Sequence, residues 1–162
     1  MSQTTKRQQI VNEVKGRLAA IDSNVTLADG YQYQSDLGKG AIDEWPIAYQ
    51  EDDLPALGVY DMVEKRVKTY PDEKAIDAAL PLQVRIFHKR ETTPATLRNY
   101  LADVMKAVTT DPNTKKQDLT LGGLCYDIKP DENGFIVPKE TFQIDGAAVG
   151  FSIEHVIGAY DA

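Results

Sequence analysis

A single cysteine, Cys125, occurs among 162 residues, so no internal disulfide can form and the C-x-x-C spacing of zinc and redox sites is missing. Free cysteine is among the most buried residue types, and Cys125 therefore reads as a packed structural thiol. Histidine is scarce too, with His88 and His155 alone to act as a base for a nucleophile. No stretch approaches the ~20 apolar residues of a membrane span. The polar opening MSQTTKRQQ has none of the apolar run of a signal peptide, so assembly in the cytoplasm is expected, with no membrane partner. Positive charge is also in deficit: 18 Lys+Arg against 25 Asp+Glu leave a net charge of −7. That argues against nucleic-acid or anionic-membrane binding by the whole surface, because phosphate binding is driven by Lys and Arg that release counterions.

What is present is apolar content of 42%, arranged periodically, in a chain long enough to hide roughly 70% of its unfolded surface in one core. Ile10, Val11, Val14, Leu18 and Ile21 fall on one stripe of a helix over about 5–21. Val25, Leu27, Tyr31 and Tyr33 alternate around Asp29-Gly30, which suits a bent strand or short hairpin. From Ser35 to Asp53 the pattern decays around Gly38, Gly40 and Trp45-Pro46, and a long flexible loop is expected. Residues 54–60 and 63–70 look like two strands or a strand and its return, with a turn at Pro71 to Lys74. The clearest strand is Leu80 to His88.

Thr92-Thr93-Pro94 supplies a cap and an early-helix proline for a second amphipathic helix through Leu97, Leu101, Val104, Met105 and Val108 to about Thr109. Leu119 to Leu121 and Leu124 to Ile128 read as a strand broken by Gly122-Gly123, Asn133-Gly134 as a turn, and Ala148 to Ile157 as a final strand. The expected fold is a single α+β domain over 1–162, with a mostly antiparallel sheet and two main helices packed on one face.

Searches for chemistry return little. Leu37-Gly38-Lys39-Gly40 has glycine where a phosphate loop needs a Ser or Thr hydroxyl for Mg²⁺. Asp111 to Gly122 begins like a calcium loop, then places Lys115 at the third ligand and Gly122 where the bidentate Glu belongs. Glu51-Asp52-Asp53 supplies carboxylates, but consecutive residues diverge and no spacing completes a cage. No cofactor, metal or catalytic residue is assigned. The rival from another class is a small carboxylate-dependent hydrolase or ligand-binding domain centred on Glu51 to Asp53 with His88 or His155.

Charge distribution is more informative. Residues 1–53 carry −4, 54–110 carry +2 and 111–162 carry −5. Arg85, Lys89, Arg90 and Arg98 are expected to form a basic edge that meets Glu51, Asp52 and Asp53, or Asp127 to Glu132, of another copy, a head-to-tail contact that closes into a ring. Trp45 and Tyr49, with Tyr31, Tyr33 and Tyr60, lie in the irregular acidic half, where protein contact suits them better than stacking on nucleic acid.

In order, the opening helix to Ile21, Ala28-Asp29-Gly30-Tyr31, Glu51-Asp52-Asp53-Leu54-Pro55-Ala56-Leu57-Gly58-Val59-Tyr60, Leu80 to Ile86, the helix Leu97 to Val108 and Gly150-Phe151-Ser152-Ile153 make a pattern that covers most of the chain. It resembles the tail terminator (tail completion) proteins of long-tailed bacteriophages. The resemblance implies a non-enzymatic virion protein at the tail–neck junction, a ring, expected to be a hexamer. Such a ring docks on the last ring of tail tube protein, stops its polymerisation and offers its other face to a neck or head-completion protein. DNA would pass through an acidic ring without specific binding. A neck or head–tail connector of similar size is the alternative in the same class.

Overall fold

The computed structural model describes residues 5–69, 75–130 and 147–158. Its elements follow in the order α1 (Lys6–Leu18), β1 (Ile42–Glu44), β2 (Ala56–Asp61), β3 (Lys65–Thr69), β4 (Ala75–Phe87), α2 (Pro94–Val108), β5 (Asp127–Pro130) and β6 (Ala148–Gly158). The α+β class expected from sequence is what these elements make. The strands form one six-stranded sheet, ordered β1-β2-β4-β6-β5 with β3 also paired to β4. Every pairing is antiparallel except β1 with β2.

Strand β4 is the spine of the sheet. Its 13 residues span about 43 Å at the usual rise per residue. β6 pairs along it from Ala75↔Gly158 to Arg85↔Ala148. On its other side β2 covers one half (Ala56↔Phe87 to Asp61↔Leu82) and β3 the other (Lys65↔Ala79 to Thr69↔Ile76). The Met62 amide donates to the Pro81 carbonyl at 2.8 Å across the gap. Of the two forms expected for these segments, two strands or a strand and its return, the first is found: they do not pair with each other and run in line along β4.

Alternation along the strands decides which face is inside. Ala78, Leu80, Leu82, Val84 and Ile86 of β4, with Val149, Phe151 and Ile153 of β6 and Leu57 and Val59 of β2, are buried. Both helices lie over this face and complete one core with Ile10, Val11, Val14 and Leu18 of α1 and Leu97, Leu101, Val104 and Val108 of α2. Each helix starts on the threonine its sequence promises. Thr5 Oγ1 accepts from the Gln8 amide at 3.1 Å, and Thr93 Oγ1 from the Thr96 amide at 3.2 Å, with Pro94 in the first turn.

Two local expectations change, and the short hairpin expected around Asp29-Gly30 is present. Residues 35–53 have structure of their own: 3-10 turns at Leu37–Lys39 and Glu51–Asp53, and β1 between them. Gly38 is there for close approach, since a Cβ would stand 2.6 Å from the Ile21 carbonyl oxygen. Residues 119–124 are turns, with β5 starting at Asp127, because Leu121, Gly122 and Gly123 all take positive φ (50°, 70° and 95°), which no strand accommodates. Residues 25–33 form a minimal hairpin, bridged at Thr26↔Gln32. The expected turns at 71–74 and 133–134 lie outside the described residues. Among the described residues no helix is long and apolar enough to cross a membrane.

Candidate interaction surface

The parallel pairing of β1 with β2 forces the chain to leave β1, cross the open face of the sheet and re-enter at β2. Residues 45–54 make that crossing as a strap. Trp45 begins it with φ +50°, its amide donating to the Val59 carbonyl at 3.1 Å and its indole Nε1 to Asp61 Oδ1 at 2.8 Å. Its ring meets Tyr60 edge-on, centroids 5.0 Å apart, and the Tyr60 hydroxyl donates to the Pro46 carbonyl at 2.7 Å. Pro46 lies directly on Gly58, where an added Cβ would come within 2.8 Å of Pro46 Cγ. Tyr49 closes the far end: its hydroxyl donates to Asp43 Oδ2 at 2.7 Å and its ring packs edge-on against Phe87 at 5.1 Å. Burial and the Asp43 hydrogen bond together raise the Tyr49 hydroxyl above the usual tyrosine range, so it stays a donor at any physiological pH.

A strap tied down at so many points still leaves large apolar surface in water. Trp45 is 51% exposed and Ile47, at its crown, 98%. The exposed Glu51, Asp52 and Asp53 follow in the closing 3-10 turn. Asp61 anchors the strap to α1 as well, accepting from Arg7 Nε at 2.5 Å on the oxygen that Trp45 does not use. Burial works against the Asp61 charge, but the Trp45 and Arg7 hydrogen bonds outweigh it and hold the carboxyl below its ordinary range.

Most of the residues nominated from sequence gather here. Arg85 lies over the Tyr60 ring, 4.5 Å from its centroid. Arg90 and Glu51 border the same cavity of about 190 Å³, beside Tyr49, Phe87 and His88. Lys89 follows directly from the end of β4, with its carbonyl 2.8 Å from His88 Nδ1. Arg85, Lys89 and Arg90 thus sit at the same end of the sheet as Glu51, Asp52 and Asp53, which corrects the expected separation of the basic edge from these acids; of the alternative acidic edge, Asp127 begins β5 and Asp131 and Glu132 lie outside the described residues. Sequence distance misleads here: the 3-10 turn and the end of β4 are brought together by the β2–β4 register, in which Ala56 faces Phe87.

Arg98 is the exception. It lies on α2, on the helix side, at the rim of a groove of about 610 Å³ that runs between α2 and strands β5 and β6. Leu101, Met105, Leu119 and Phe151 line it, with Lys106 also on its lining about two turns along α2 from Arg98. Lys106 is held at 2.6 Å by Asp29 and lies 5.3 Å from the Tyr31 ring centroid.

The histidines lie far apart. His155 is buried and paired with Glu64 at 2.5 Å, and it faces Ala78 on β4, nine residues or about 30 Å along the strand from Phe87. It does not share a site with Glu51 to Asp53. Cys125 is buried, its sulfur 3.4 Å from the Leu119 carbonyl, and burial pushes its pKa up to about 11, where it has no nucleophilic character at neutral pH. Among the described residues no group of three or more His, Cys, Asp or Glu is placed to hold a metal.

Two buried charges escape a reading of the sequence because nothing marks them off from surface charge. Arg17, 1% exposed, donates to the Val108 and Asp118 carbonyls and to Asp118 Oδ2, at 2.9, 2.8 and 2.7 Å, pinning α1 to the end of α2. Asp103, fully buried, accepts from the Tyr31 hydroxyl at 2.7 Å, the Ser35 hydroxyl at 2.6 Å and the Gln34 amide at 3.0 Å. By spacing, Arg17 is expected with Gln8, Gln9, Glu13 and Lys15 on the polar side of α1, and its burial against the end of α2 corrects that expectation. No protein-family model matches the chain, and no curated protein matches it at a significant level.

Proposed function

We propose that this chain is a virion structural protein of the tail terminator type, which caps the end of a phage tail tube as a ring, stops its polymerisation and provides the surface for neck or head attachment. The observation that supports this reading best is the strap. A loop held by the Trp45, Pro46 and Tyr49 hydrogen bonds, yet presenting Ile47 at 98% exposure, is organised before it meets a partner. Exposed apolar and aromatic groups fixed beside charged ones are the composition of a protein-binding patch. Capping follows from valence, because a ring engages a tube end through every subunit at once and weak single contacts become a durable cap. A net charge of −7 per subunit would let DNA slide through such a ring without being held.

Purified chain mixed with polymerising tail tube protein tests the reading. Shorter tubes, each ending in added density, are expected. Tubes of unchanged length would remove the terminator function, and a ring that binds finished tubes without limiting their growth would make the chain a connector instead.

A further inference from the structure

The strap and the groove belong to opposite edges of one sheet. The strap leaves from β1 and the groove is walled by β5, which is four inter-strand spacings, about 19 Å, across the order β1-β2-β4-β6-β5. They also match in character. The strap offers a protruding apolar side chain, Ile47, followed by three exposed acids, Glu51 to Asp53. The groove offers an apolar floor of Leu101, Met105, Leu119 and Phe151 with the cation Arg98 at its rim.

We infer that the groove receives the Ile47 strap of a second copy, so that neighbouring subunits of the ring are joined knob into groove, with Glu51 to Asp53 of one copy against Arg98 of the next. A strap and a groove on opposite edges cannot meet within one chain. Two different surfaces in contact make a heterologous interface, which propagates from copy to copy until the rotation closes it. This rests on the ring-forming part of the function proposed above and replaces the pairing of Arg85, Lys89 and Arg90 with the acids of a neighbour, because Arg90 borders the same cavity as Glu51 of its own chain and Arg85 lies over the Tyr60 ring. The groove is large enough for the strap, since about 610 Å³ lies in the range of roughly 300–1,000 Å³ that buries a sizeable ligand or several side chains. Charges at the rim steer the approach, and the apolar centre supplies the grip.

The whole chain, followed by sedimentation velocity, provides the test. Wild type should gain mass with concentration, and less readily in high salt. Ile47→Glu and Ala102→Glu, both at exposed positions, should fold like wild type and each associate about tenfold or more weakly, since Ala102 also lines the groove. Mixed one to one, the two variants retain one good strap and one good groove between them and should stop at a heterodimer. The double variant Ile47→Cys/Ala102→Cys should form a cross-linked ladder beyond dimers on oxidation. Wild-type-like assembly of either glutamate variant would overturn the inference, as would a mixture that regains the full ring, or a wild type and double-cysteine chain that stay monomeric at every concentration. A groove variant that assembles normally but no longer caps would place the tube protein in the groove and also overturn it. Rings that form through this contact yet leave tube length unchanged would sink the capping function and leave the contact standing.

Discussion

The clasps beneath the helices and the strap across the open face use the same chemistry to opposite ends. Arg17 and Asp103 are buried charges whose hydrogen bonds run inward, to carbonyls, an amide and hydroxyls that would otherwise be unsatisfied. At the strap, Asp61, Asp43 and the Pro46 carbonyl also accept hydrogen bonds, but what they hold in place is apolar surface in water. Inward networks fix how the helices sit on the sheet and contribute to folding. Outward ones fix the shape of a surface, and their worth is realised when something binds.

The largest expected effect falls on the clasps. Arg17→Met leaves the Val108 and Asp118 carbonyls without their donor and the Asp118 carboxylate without its cation, and should cost about 3–5 kcal/mol. For a domain of this size that is roughly 6–20 °C in melting temperature. Asp103→Ala should cost about 2–4 kcal/mol by stranding the Tyr31 and Ser35 hydroxyls and the Gln34 amide. If calorimetry finds both variants within 1 kcal/mol of wild type, roughly, the clasps are not what seats the helices.

Acid should undo both regions, the clasp first in energy. Burial opposes the charge of Asp118, but the Thr120 hydroxyl and amide, the Gly122 amide and Arg17 outweigh it and hold the carboxyl far below the usual range; Asp61 is shifted the same way by Trp45 and Arg7. A carboxyl whose folded pKa is depressed contributes stability that is complete above its unfolded value, about 3.9, and is lost as pH falls below it. Stability should therefore be flat through neutral pH on account of these groups and fall below about pH 4. Asp118→Asn should be less stable at pH 7 and show a shallower acid limb, measured by denaturant titration at several pH values; an acid limb as steep as that of wild type would assign the loss to other carboxyls.

Strand and helix periods are legible in the sequence because they report burial, which is local and periodic: β4, β6, α1 and α2 all show in the alternation or the stripe. The strap shows as a break in pattern, with Trp45-Pro46 and Glu51 to Asp53 as its marks, but β1 does not, since Ile42–Glu44 is three residues with a half-buried to exposed face and depends on a partner 15 residues on. The glycines at 122–123 are legible as a break, but Leu119 to Leu121 and Leu124 to Tyr126 pass for strand because their apolar residues alternate, while the turn there is held by the Asp118 cap. The groove cannot be read at all. Its walls come from α2, β5, β6 and the loop at Leu119, and no sequence period connects them.

The comparison is sharpest where one residue type occurs in both settings. Gly58→Ala, which drives a methyl into Pro46 and Tyr60, should cost about 1–2 kcal/mol and lift the strap, so that self-association falls further than stability does. Ile47 and Ile153 then give the smallest effect and its control. Ile153, with no exposed surface, should cost about 2–5 kcal/mol when cut to alanine, while Ile47→Ala, at 98% exposure, should stay within about 0.5 kcal/mol of wild type in unfolding and still weaken assembly. Ile47 stands almost wholly in water on a loop tied at both ends and adds little to the isolated subunit, so under the proposed ring its contribution is expected in assembly. An Ile47→Ala chain that unfolds and assembles like wild type would reduce the strap to a connection between β1 and β2.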